Sequence, residues 1–218
     1  TTLFRSSEMI ASGERHAMTI MQLLAQPRYW AICLAVGVAN TSSTLLGVHL
    51  VSMAESWGVE RMHAAGLASL MSGVGMAGSI LIGILADRIG GAKALFVISV
   101  GEAVLWSLFL AGLPYAGLAA VVGLIGVMGA GAVPAMSKAL ADNFGRETFS
   151  RAIGLMVPVT LPILFAGMMG PRFAFSATGS YNVVIICTVA AFIVSAFLAL
   201  SAGKSASQNA GAAVPAAS

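Results

Sequence analysis

Charge is what this chain has least of. Only 9% of its 218 residues are Asp, Glu, Lys or Arg, where a soluble domain carries about 25%. That scarcity excludes a solvated globular surface. With 58% apolar residues and a mean hydropathy of +0.93, what remains is a polytopic membrane protein. Cysteine is nearly missing too: Cys33 and Cys187 fall in the first and last apolar runs, at a spacing that fits neither a disulfide framework nor a metal site. No metal, no cofactor and no catalytic group is therefore expected, and the modest basic excess carries no nucleic-acid reading. The first residues also lack the basic-then-apolar form of a signal peptide.

Apolar sequence, by contrast, is abundant. A bilayer span takes ~20 mostly apolar residues, and six such runs occur, at 29–52, 64–86, 94–113, 115–137, 152–171 and 182–202. The expected fold is an all-α membrane protein of six transmembrane helices. Residues 1–28 read as a cytoplasmic loop or N-terminal segment, 29–203 as the bundle and 204–218 as a disordered Ala/Ser/Gly tail. A Thr-Thr start without methionine reads as the interior of a longer chain. Loop Lys and Arg set membrane orientation, and nine of them (Arg5, Arg15, Arg28, Arg88, Lys93, Lys138, Arg146, Arg151, Lys204) fall on one side against Arg61 and Arg172 on the other. Both termini are then cytoplasmic in a multi-pass protein of the plasma membrane, the inner membrane in a bacterium, with the lipid bilayer as its first partner.

The polar residues inside the spans are the candidate site. Asn40-Thr41-Ser42-Ser43-Thr44 begins roughly 16 Å into the first span, near the middle of a ~30 Å core. Ser and Thr can bond back to carbonyls of their own helix, but an Asn amide is harder to satisfy there, which makes Asn40 the leading cavity residue with Thr41 and Thr44 beside it. In the second span Ser69, Ser72, Met76, Ser79 and Gly83 share a stripe at helical spacing, and Ser72 is taken as its binding residue. Gly73-Val-Gly-Met-Ala-Gly78 within that span spells a dinucleotide fingerprint, but no strand precedes it and the reading is discarded. Pro158 and Pro162 free the carbonyls of Gly154 and Pro158, predicting a broken helix with Thr160 at the break. Glu102 is the one Asp, Glu, Lys or Arg inside a span. It reads either as a structural carboxyl bonded to Ser99 or a neighbouring helix, or as a proton-coupling group. His49, near the outer end of its span, reads as a headgroup-level residue or as a substrate or proton ligand.

Between the second and third runs lies the only dense polar cluster flanked by long apolar runs, Gly83-Ile-Leu-Ala-Asp87-Arg88-Ile-Gly90-Gly-Ala-Lys93. It reads as a tight hairpin between two membrane helices. It resembles the loop signature of the major facilitator superfamily, Gly-x-x-x-Asp-Arg-x-Gly followed by basic residues, with Gly91 and Ala92 where basic residues are usual. Gly170-Pro171 and Gly179-Ser-Tyr-Asn182 resemble members of its monocarboxylate and oxalate/formate-like branch. The resemblance covers about residues 20–203 and matches the C-terminal six-helix half of a twelve-helix transporter. It implies secondary transport of a small-molecule substrate by alternating access, with spans 1, 2, 4 and 5 lining the path. It also implies an N-terminal six-helix half as partner, in the same gene or a separate chain, and a gating role for Gly83, Asp87, Arg88, Gly90 and Lys93.

Two other classes fit the composition. One is a half-length membrane scaffold that moves nothing. The other is an intramembrane serine protease, whose dyad would be Ser72 and His49, although the last span holds no histidine. The orientation is open to test. In a background of Cys33→Ala and Cys187→Ala, single cysteines placed by Arg5→Cys and Ser205→Cys are expected to react with a membrane-impermeant maleimide only after the membrane is opened. Labelling of either on intact cells refutes the assignment.

Overall fold

A computed structural model describes residues 18–212, with side chains through residue 203. Among these residues the chain is all helix with no strand. The elements are α1 (Ile20–Leu24), α2 (Pro27–Ser56), α3 (Arg61–Ile89), α4 (Gly91–Leu108) followed by a 3-10 turn (Phe109–Ala111), α5 (Tyr115–Ala130), α6 (Ala132–Thr178) and α7 (Asn182–Ala212). Five segments are long and apolar enough to cross a membrane: Pro27–Ser56, Arg61–Ile89, Gly91–Ala111, the 64-residue Tyr115–Thr178 and Asn182–Gly203. They are compatible with a multi-pass membrane protein.

Local chemistry sets the ends. Thr19 and Gln22 form a reciprocal capping box that starts α1, and Pro27 opens α2 where its missing N–H costs nothing. The expected hairpin loop between α3 and α4 shrinks to one residue: Gly90 (φ 89°) is the sole non-helical position between Ile89 and Gly91, a backbone state that a side chain would strain. The polar Asp142–Arg151 segment, expected as a loop between the fourth and fifth runs, is helical on both sides of Gly145 (φ 73°, ψ 170°). Pro158 and Pro162 do not break the helix, because Gly145 is the position inside α6 where the dihedrals leave the helical region. Packing of Ile163 on Gly37 and of Gly167 on Thr41 holds the course through both prolines. Nor does Gly170-Pro171 end the helix, which runs on to a left-handed cap at Gly179. At the far end α7 continues to Ala212, so residues 204–212 are helical where a disordered tail is predicted. Residues 1–17 and 213–218, the rest of the two predicted terminal segments, lie outside the described residues.

Contacts pair the helices. Gly66 meets Tyr115, Gly75 meets Gly126, Gly78 meets Val127 and Gly83 meets Pro134, so α3 runs parallel to α5 and on beside the first part of α6. After Gly145 the partner changes. The Tyr29 hydroxyl donates to the Ala152 carbonyl at 3.0 Å, Gly37 meets Thr160 and Ile163, and Thr41 meets Gly167, which lays the rest of α6 parallel to α2. Helices α4 and α7 pair in opposite senses through Ser99 with Ser195 and Ala92 with Gly203. Tyr29 is fully buried against Phe144 and Ala152, and Trp30 is the exposed ring.

Two apolar clusters fill the bundle. One, toward the 57–60 turn, centres on Leu46, Leu50, Trp106, Val122 and Phe192. The other, toward Gly90, centres on Tyr29, Ile32, Leu95, Ile98 and Leu140. In a bilayer, where lipid is as apolar as leucine, helices associate by close packing, and the α3–α5 seam uses glycine for it. A Cβ on Gly78 would overlap the backbone of Val127, whereas one on Gly73 would meet nothing within 4 Å. Gly78→Ala is expected to destabilise the folded protein by about 1–3 kcal/mol. Gly73→Ala should stabilise it by up to ~1 kcal/mol. Denaturant unfolding in detergent followed by circular dichroism reads both signs.

Candidate functional site

Between α2, α3 and α5 the helices leave a cavity of about 660 Å³. Asn40, Ser43 and Thr44 enter it from α2, Ser72 and Ser79 from α3, and Gly126 and Gly129 form its α5 wall. Three of the predicted binding residues, Asn40, Thr44 and Ser72, therefore share one space. Their hydroxyls bond back to their own helices: Thr44 Oγ1 donates to the Asn40 carbonyl at 2.8 Å, Ser72 Oγ to Ala68 at 3.1 Å and Ser79 Oγ to Met76 at 2.8 Å. Each keeps acceptor capacity toward the cavity. The Asn40 side chain is exposed there and has no hydrogen-bond partner among the described residues. An uncovered amide at mid-span cannot face lipid without cost, so this face belongs to water, a ligand or another protein surface.

Thr41, one residue on, faces the other way. It lines a second cavity of about 430 Å³ between α2, α6 and α7, with Ser42, Gly167, Cys187 and Thr188, and its Oγ1 is buried without a partner. Thr160 belongs to neither wall. Its hydroxyl donates to the carbonyls of Met156 at 2.9 Å and Val157 at 3.2 Å, within the helix turn next to Pro158. His49 is half-buried near the Tyr181 ring, centroids 6.5 Å apart. Burial raises the Tyr181 hydroxyl above its ordinary pKa. Ser72 and His49 are thus held by different partners and are not brought together as a dyad. Among the described residues no three His, Cys, Asp or Glu converge in a way that could hold a metal.

Glu102 sits behind the cavity wall. It is 1% exposed, and its Oε2 has no hydrogen-bond partner. The expected bond to Ser99 is not made, because Ser99 Oγ donates to Leu95 O or pairs with Ser195 Oγ at 2.8 Å. The Trp106 indole, one turn on, donates to Ser42 Oγ at 2.8 Å. A Cβ built on Gly129 would lie 3.8 Å from Glu102 Oε1 and would overlap Ser43 Oγ, so both side chains flank the gap that this glycine leaves. Sequence reasoning missed Ser43 and Gly129 as site residues. Glycine density in this span reads as packing, and only the crossing shows which glycine opens the wall.

At the Gly90 end, Asp87, Arg88 and Lys93 are exposed while Gly83 lies against Pro134. The carboxylate that caps α4 is Asp142. Its Oδ2 accepts from the Gly91 N–H at 3.1 Å and its Oδ1 pairs with Lys138 Nζ at 3.0 Å, an anion placed where a helix N-terminus favours one. A Cβ on Gly91 would run into the backbone of Ala139, which explains why no basic side chain follows Gly90.

No protein-family model matches the chain, and no curated protein matches it.

The cap gives a test inside this site. Asp142→Ala removes both the cap and the ion pair and is expected to cost about 1 kcal/mol, whereas Asp87→Ala, at an exposed position, should cost under ~0.5 kcal/mol. Unfolding midpoints in detergent discriminate the two, and equal losses would deny Asp142 its role.

Proposed function

We propose that the chain is a six-span half of a major facilitator-type secondary transporter and that it moves a small solute by alternating access. The observation that carries this reading is the 660 Å³ cavity in which Asn40, Thr44 and Ser72 meet, with an unpartnered amide at mid-span depth. Buried or cavity-facing polar groups at that depth mark substrate paths far more often than lipid contacts. Six spans are supported by the Tyr115–Thr178 stretch. If straight it would reach about 96 Å, three times the hydrocarbon core, and its partner changes from α3 to α2 at Gly145.

The site offers hydroxyl acceptors and one amide and carries no formal charge on its walls. It suits a solute recognised by hydrogen bonds and apolar contact, and an anion would take its countercharge from an N-terminal six-helix half packed over the open face. In this reading Gly83, Asp87, Arg88, Gly90 and Lys93 form the gating hairpin, with Asp87 turned toward a helix N-terminus of that half. Thr41 and Thr160 serve the packing of α2 on α6 rather than the substrate. Uptake of carboxylates, sugars and hydrophobic compounds into proteoliposomes tests the reading. Asn40→Leu is expected to abolish uptake of whichever solute is moved while expression and monodispersity stay intact. Unchanged uptake by the variant removes Asn40 from the site, and no uptake of any class by the full-length protein would leave the scaffold reading in its place.

A further inference from the structure

We propose that Glu102 is a proton-binding site that exchanges with the central cavity through the hydroxyl of Ser43. Only the use of that proton, to couple transport, rests on the transporter reading above.

The carboxyl is built into the core yet incompletely bonded. At 1% exposure it has an idle oxygen, Oε2. Of the polar side chains one turn to either side of it, Ser99 is engaged with Leu95 and Ser195, and the Trp106 indole is shared between Ser42 Oγ and the carboxyl, which leaves Oε2 idle. A carboxyl kept for packing would be expected to have its oxygens satisfied, whereas an idle oxygen at an acid group is a place for a proton to arrive. The route is set by Gly129. Its missing side chain leaves Ser43 and Glu102 on the two sides of one gap, and both Ser43 and Gly129 line the cavity. The hydroxyl of Ser43 differs from those of Thr44, Ser72 and Ser79, which are tied to their own carbonyls. It makes no such bond among the described residues, so it is free to accept one proton while donating another.

The step balances as a relay. A protonated cavity water gives its proton to Ser43 Oγ as the Ser43 O–H proton passes, through a water bridging the gap beside Gly129, to Glu102 Oε1, and release runs the same bonds in reverse. One proton moves and nothing is oxidised or reduced. Among the described residues, the ionisable groups on the helices packed against α4 lie away from this depth; on α3 they are Arg61 and His63 at one end and Asp87 and Arg88 at the other. On α2 the titratable groups closest along the helix are His49, six residues beyond Ser43, and Cys33. On α5 there is only Tyr115, at the far end, and on α6 the groups lie toward its ends, Lys138, Asp142, Arg146, Glu147, Arg151 and Arg172. On α7 the described group is Cys187.

Two measurements on the full-length protein decide the matter. Difference infrared spectroscopy should show a protonated-carboxyl stretch that is absent in Glu102→Gln and changes intensity as bulk pH is stepped between about 5 and 9. Its response should be slowed about tenfold or more in Ser43→Ala. A band indifferent to pH, or one that responds as fast in Ser43→Ala as in wild type, overturns the proposal. Where Glu102→Gln fails to fold, the Ser43→Ala comparison decides alone. In proteoliposomes Glu102→Gln should keep substrate counterflow and lose accumulation driven by a pH gradient. Accumulation equal to wild type overturns the coupling. Absence of counterflow in wild type itself would defeat the transporter reading, and the infrared result would still decide the proton site.

Discussion

The bundle depends on backbone meeting backbone along the α3–α5 seam. Gly75 faces the carbonyl of Gly126 and Gly78 faces Val127, while Gly126 in turn lies against Met71 and Gly131 against Ile82. Lipid supplies no hydrophobic force between helices, so the attraction comes from dispersion contacts that reach full strength only at van der Waals distance. The same seam positions everything else. It carries α5 close enough for Gly129 to open toward Ser43, and it continues past Pro134 to Gly91, where Ala139 and Asp142 fix the start of α4. Site and hairpin are two ends of one packing line.

Within that frame polarity is distributed by economy. Most hydroxyls in the spans are tied to carbonyls of their own helices, which costs nothing in specificity and leaves them as weak acceptors. Four groups break the pattern: the Thr41 hydroxyl, which faces the second cavity, and the Asn40 amide, the Ser43 hydroxyl and the Glu102 carboxyl. The last three belong together. They occupy neighbouring positions around one cavity and its back wall. Idle hydrogen-bonding capacity in a low-dielectric interior is expensive. Its concentration around one cavity is the physical reason for proposing solute recognition there rather than at the hairpin or the His49 end.

Much of the architecture is legible in the composition, because length and apolarity alone delimit membrane helices. Residues 29–52, 64–86 and 182–202 each fall within one of the helical spans, and 94–113 overruns Gly91–Ala111 by two residues. Illegible were the joints. Asp142–Arg151 looks like a loop by charge, yet one glycine with positive φ suffices to turn the chain and the charges remain on helix. Pro158 and Pro162 look like a break, but a proline removes a hydrogen bond without dictating the helix path when neighbours hold it. At the site, Asn40 and Ser72 were readable from polarity at depth. The orientation of Thr41 was not: consecutive helical residues point about 100° apart, and which of two adjacent threonines or serines meets which neighbour is set by helix rotation. For Glu102 both roles were readable; that Ser99 is not its partner was not, because the Ser99–Ser195 pair joins residues far apart in the chain.

That rotation gives α2 a particular standing. Asn40 and Thr44 look into one cavity, and Thr41 and Ser42 into another on the opposite flank. The helix is a party wall between two chambers, one polar and one mostly greasy. Any roll or sideways shift that enlarges one must shrink the other, so a bulky guest lodged beside Cys187 and Thr188 would press on the polar chamber without entering it. The two spaces share a single helix as their common wall, so a substitution that changes the volume on one side of α2 is felt by the packing on the other.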